Sequence, residues 1–150
     1  MTVTAQEMRL IGEVKLPGEA EMVATARMFP GFWLLALRRD LDRASDLHED
    51  LRLLTSEVVT NAVRHSSSGL GGHVHIRGLL ADDLYRVEVV DEGPIWKIPE
   101  QRAAPMAENG RGLLLIRHIA KAWGTREEDS GVAVWFELAI DPNPRRTGRA

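Results

Sequence analysis

Three stretches of the chain carry residue types that can do chemistry. Glu57 and Asn61 lie four residues apart beside Leu47, Leu51, Leu54, Val58 and Ala62, which recur at helical spacing as one apolar stripe. On a helix, an i,i+4 pair points the same way. A carboxylate and a carboxamide oxygen at the edge of a buried stripe can meet a ligand, although a solvated boundary pair has the same spacing. Asp91 ends a second stretch, in which Tyr85, Val87, Val89 and Asp91 share one face of a strand by the two-residue alternation. Three of the four are core residues, so the carboxylate falls on a face that helices should cover, where it is costly without hydrogen-bond donors. An adenine amino group is one suitable donor. Gly93 allows close approach of a flat ring, while Asp91-Glu92-Gly93-Pro94 is equally an ordinary turn. The third stretch, Gly110-Arg111-Gly112, opens a helix with unobstructed amides and the positive end of the dipole, which suits phosphate oxygens as well as a plain helix entry. It is not a dinucleotide fingerprint, because a third glycine and a preceding strand are both missing.

These residues need elements to position them. Arg9 to Leu16 is expected as an edge strand closed by Pro17-Gly18, and Glu19-Ala20-Glu21 begins a helical stretch expected to bend at Pro30-Gly31. A polar linker, Asp40 to Ser45, precedes the helix Asp46 to His65, with Ser45 or Asp46 as its cap. Strands His73 to Leu80 and Leu84 to Asp91 form a hairpin across Ala81-Asp82-Asp83. Glu92 to Asn109 holds three prolines and no period, so it reads as a long functional or disordered loop. A short helix, Leu113 to Ala122, follows, and then strands Trp123 to Glu128 and Val132 to Ile140 join across Asp129-Ser130-Gly131. Alternating hairpins and helices predict an α+β fold, a two-layer sandwich with a mixed, mostly antiparallel sheet and helices on one face. The domain is expected over 9–140, with a flexible start at 1–8 and a basic tail at 141–150.

Composition narrows the function classes. The chain has 150 residues, 44% of them hydrophobic and 27% charged, which suits one compact soluble domain. A net charge of -3 gives no broad attraction to nucleic acid or anionic membranes. The absence of cysteine excludes disulfides and thiolate zinc sites. No export signal or apolar run of membrane-spanning length is evident, so a cytoplasmic location is expected. His73 and His75 alternate with core-facing Val74 and Ile76 and are expected to face solvent with Arg77 rather than bind a metal. His65 and His118 suit helix-end packing or dipole interactions. Trp33, Trp123 and Trp135 suit packing, and Trp96 in the long loop could fold over a ligand.

Taken together, in this order, Leu54-Thr55-Ser56-Glu57-Val58-Val59-Thr60-Asn61-Ala62-Val63-Arg64-His65, Val89-Val90-Asp91-Glu92-Gly93-Pro94 and Gly110-Arg111-Gly112-Leu113 resemble the ATP-site motifs of the GHKL, or Bergerat-fold, superfamily. More narrowly, the chain resembles stand-alone actinobacterial members of the anti-sigma-factor serine/threonine kinase family, over roughly Leu16 to Leu138. That resemblance implies a histidine-kinase-like ATPase fold that binds ATP and Mg²⁺. It implies that Asn61 holds the metal, Glu57 is the general base, Asp91 accepts from the adenine amino group, and Gly93 admits the ring. Gly110, Arg111 and Gly112 would cradle phosphates beneath a lid formed by Glu92 to Asn109. Implied partners are a STAS-type antagonist, a sigma factor, or both, and a second copy of the chain. The match departs from the family at Gly131-Val132, where relatives often carry a lysine, and at Ala107-Glu108-Asn109, where some place an arginine. Arg102 or Arg111 would have to substitute. A non-catalytic, nucleotide-gated binding module is therefore the alternative to a kinase.

Overall fold

The computed structural model describes residues 7–42, 45–65, 69–93, 110–129 and 131–142, with residues 110–113 described by their backbone. Five strands form one sheet: β1 (Arg9–Pro17), β2 (His73–Leu80), β3 (Leu84–Asp91), β4 (Ala122–Glu128) and β5 (Gly131–Ala139). Their order is β1-β2-β3-β5-β4, and every neighbouring pair is antiparallel. The expected mostly antiparallel sheet is thus found, with no parallel pair among the described strands. The excursion from β1 to β2 returns antiparallel beside its start, whereas the one from β3 to β4 runs through the last helix and lands β4 parallel to β3, leaving the gap between them that β5 fills antiparallel to both.

Four helices accompany the sheet among the described residues: α1 (Val23–Ala26), α2 (Phe29–Leu37), α3 (Asp46–His65) and α4 (Gly110–Ile119). The α3 stripe forms as expected, with Leu51, Leu54, Val58 and Ala62 buried and Leu47 partly so. It shares one core with Val74, Ile76, Val87, Val89, Phe136 and Leu138 from the sheet and Ile116 from α4. Burying each such side chain contributes about 1.5–3 kcal/mol, so this apolar layer holds α3 against the sheet.

Three local expectations change. The helical stretch breaks at Arg27–Met28 rather than Pro30-Gly31, and Pro30 sits in the first turn of α2. There its missing N–H has no intrahelical partner to lose. The last helix begins at Gly110, so Gly110, Arg111 and Gly112 are its first turn instead of its lead-in, and it ends at Ile119. At the start of α3 the Ser45 carbonyl accepts from the amides of His48 and Glu49. The Ser45 hydroxyl is buried with no partner among the described residues, so it does not act as the expected side-chain cap.

Glycines shape the sheet where α2 crosses it. Gly12 and Gly78 face each other across β1 and β2, and a Cβ at Gly12 would overlap the Trp33 indole. Tyr85 donates from its hydroxyl to the Pro30 carbonyl at 2.7 Å, fixing α2 over the same spot. The opposite sheet face is charged. Glu88, only 7% exposed, contacts Arg77 (3.1 Å), Arg86 (3.4 Å) and Arg126 (3.3 Å), and Arg86 lies over the Trp135 ring at 4.2 Å. Arg77, expected to point to solvent, is drawn into this network because Glu88 is its cross-strand partner.

Candidate functional site

Asp91 continues the buried row of Tyr85, Val87 and Val89, so its carboxylate lies on the sheet face that the helices cover. The Gly93 amide donates to Asp91 Oδ1 at 2.7 Å, and the Val132 amide also bonds the carboxylate. These donors lower the carboxyl pKa, but burial outweighs them and pushes it up to about 6. A carboxylate has about four acceptor positions, so two amides leave room for a ligand donor. Gly93 is buried and has a φ of 85°, a conformation that glycine adopts without a steric penalty.

The chain path brings the other segments to this end of the sheet. After α3 ends at His65, the chain returns to begin β2 at His73, whose amide donates to Glu92 Oε1 at 2.8 Å. The C-terminal half of α3, which carries Glu57 and Asn61, therefore lies toward Asp91. Asn61 is buried at 3% exposure and Glu57 is partly buried, so the two flank the apolar stripe as the spacing implies. At its other end α4 is tied to the far edge, with Lys121 donating its amide to the Glu137 carbonyl before β4 begins. Ten helical residues span about 15 Å, which carries the Gly110 end of α4 back toward Asp91. The first-turn amides at Gly110, Arg111 and Gly112 have no intrahelical acceptors. Residues 94–109, and with them Trp96, Arg102 and most of the expected lid, lie outside the described residues.

The family model described as histidine kinase-like ATPase domain matches residues 16–138, from the end of β1 almost to the end of β5. The chain belongs to this family. Within it, the chain is similar to proteins named serine-protein kinase RsbW. One, from Bacillus licheniformis, is 28% identical over 81% of both chains, and one from Bacillus subtilis strain 168 is 29% identical over 71% of this chain and 72% of its own. A protein named anti-sigma F factor, from Clostridium acetobutylicum, is 31% identical over 54% of each chain. The GHKL resemblance carried by the three motifs thus agrees with the family match.

The remaining sequence expectations are met in part. His73 is exposed, and His75 reaches across to Glu13 at 2.9 Å. Trp33 and Trp123 pack on the core, whereas Trp135 lies on the charged face beneath Arg86. His118 is exposed on α4. A half-open cleft of about 670 Å³ lies at the opposite end of the sheet, lined by Arg9, Arg38 and Asp82 among others. Its Arg38 is already committed to Asp40 and to the Asp141 carbonyl, so the Asp91 end is the better site. Sequence reasoning singled out Gly131-Val132 only as a departure from the family and missed their place beside Asp91. The Asp129-Ser130-Gly131 pattern reads as a turn, and nothing local signals that Val132 pairs with Asp91. Among the described residues, no helix is long and apolar enough to cross a membrane.

Proposed function

We propose that the protein is an ATP-dependent serine/threonine protein kinase of the anti-sigma-factor type, acting on a small STAS-type antagonist protein. The observation that carries this reading is the buried Asp91 carboxylate at the end of β3, toward which the Glu57–Asn61 half of α3 and the amide-bearing start of α4 both run. Similarity to proteins named serine-protein kinase RsbW supports the same reading.

The residues present fit a nucleotide with a divalent cation. Asp91 offers an acceptor held by backbone amides for a purine amino group, and Gly93 adds no side chain beside it. Asn61 offers a carboxamide oxygen, a hard donor suited to Mg²⁺. The α4 amides and dipole suit the phosphates. Bound ATP with Mg²⁺ would supply the transferable phosphoryl group. Glu57 acts as the general base that takes the proton of an incoming serine or threonine hydroxyl. Catalysis of this kind depends on positioning and charge neutralisation more than on covalent chemistry by the protein, which suits a site built from backbone amides, a carboxamide and two carboxylates.

Incubation with labelled ATP, Mg²⁺ and candidate antagonist proteins tests the proposal. Transfer to a serine or threonine is expected, and Glu57→Ala should abolish it while leaving ATP affinity within about 3-fold, since a general base contributes about 10²–10⁴-fold to rate. Unchanged transfer in Glu57→Ala would overturn the assignment of the base. The presence of Val132 after Gly131, with no cation there, favours a second reading, a nucleotide-gated binding module. That reading predicts a partner complex that responds to ATP, is unaffected by Glu57→Ala, and contains no phosphorylated protein.

A further inference from the structure

We propose that Gly131 is a positioning residue for base recognition: the lack of a side chain there lets the β4–β5 hairpin close on the end of β3 and hold Asp91 from two sides. The inference rests on the reading of Asp91 as the acceptor of a purine amino group.

Gly131 has a φ of 156°, which L residues with side chains rarely adopt. A Cβ at this position would overlap the carbonyl oxygen of Asp91 and lie 2.7 Å from the Gly93 nitrogen. Both obstacles are backbone atoms that no side-chain rotation can move aside. The Gly93 nitrogen is also the donor to Asp91 Oδ1. Val132, the next residue along, is the register partner of Asp91, and its amide is the second donor to the carboxylate. A side chain at 131 would therefore push the hairpin off β3 and weaken both donor bonds at once. The spacing is set from the Gly131 side, because a Cβ at Gly93 would meet Gly131 Cα at 3.7 Å, an ordinary contact. With its donors displaced, the carboxylate turns, and its remaining acceptor positions no longer meet a base amino group.

The test measures dissociation constants of the full chain by calorimetry for ATP and for purine riboside triphosphate, which lacks the 6-amino group. It also measures amide hydrogen exchange of Gly93 and Val132 without nucleotide. The parent chain is expected to prefer ATP by about 30-fold, the range of one hydrogen bond to a charged acceptor. Gly131→Ala should reduce that preference below about 5-fold, change affinity for the analogue by less than about 3-fold, and expose both amides to faster exchange. A preserved preference, or an equal loss of affinity for both nucleotides, would overturn the proposal. Should Gly131→Ala fail to fold, Val132→Pro removes one donor amide and adds nothing at 131. It should lower the preference too, and an unchanged preference would overturn the proposal. If the parent chain shows no preference for ATP, the base-recognition reading fails instead. Hydrogen exchange then still decides whether Gly131 holds the Asp91 donors in place.

Discussion

The two ends of the sheet are built on different terms. At the far end Arg38, 4% exposed, donates from Nε and Nη2 to both oxygens of Asp40, at 2.9 and 2.7 Å, and from Nη2 to the Asp141 carbonyl at 2.6 Å. The Ile140 amide reaches the Asp83 carbonyl close by, at 3.0 Å. At the near end a carboxylate is buried with two backbone amides and no cation as its hydrogen-bond donors among the described residues. Every positive-φ backbone among the described residues, Gly71, Gly93 and Gly131, belongs to that end as well. The far end resembles a clamp in which buried charge is matched, whereas the near end keeps an acceptor and backbone room at a cost in stability. Such unrelieved features belong at sites that bind something.

The largest expected effect breaks the comparison at the near end. Asp91→Asn should weaken ATP binding by about 50-fold, the scale of one charge-assisted hydrogen bond, as read by calorimetry. The same substitution should stabilise the fold at pH 7.5. The folded-state pKa of Asp91 is raised to about 6, so the contribution of this group favours folding at low pH and is lost as pH rises through about 6. A shift of this size corresponds to about 3 kcal/mol at most, and the gain in melting temperature should vanish below about pH 4. A variant that melts lower than the parent at pH 7.5 would contradict the burial argument.

Next in size is the far end. Arg38→Met should cost about 1–3 kcal/mol in denaturant unfolding, less than a fully buried pair because the Asp40 side chain is 40% exposed. ATP affinity should stay within about 2-fold, since the two ends share no partners. A smaller effect follows from pH. The preference for ATP over the amine-free analogue should fall as pH drops through about 6 and Asp91 is protonated, and taking the ratio cancels the titration of the triphosphate. The smallest belongs to the charged sheet face. Arg126→Ala should cost no more than about 1 kcal/mol, with a milder effect in high salt and no change in ATP affinity, because its side chain is 41% exposed.

Much of this arrangement is legible locally. The 3.6-residue stripe places α3 from Asp46 to His65, and strict alternation places β2 and β3 at the observed bounds. The same two periodicities put Asn61 and Asp91 on covered faces. What stays hidden depends on contacts between distant parts of the chain. The break before Phe29 and the start of α4 at Gly110 depend on helix-terminal packing that no period records. The burial of Glu88 follows from arginines supplied by three strands, and its alternation alone reads as solvent-facing. The role of Gly131 appears only once β5 is laid beside β3 in register.

The most direct test of a nucleotide site at the Asp91 end is amide hydrogen exchange of the full chain with and without ATP and Mg²⁺. Protection is expected to increase at Gly93, Val132 and the first turn of α4, with Tyr85, Arg38 and Ile140 unchanged. Protection confined to the Arg38 end, or none at either end with ATP in excess, would contradict the account.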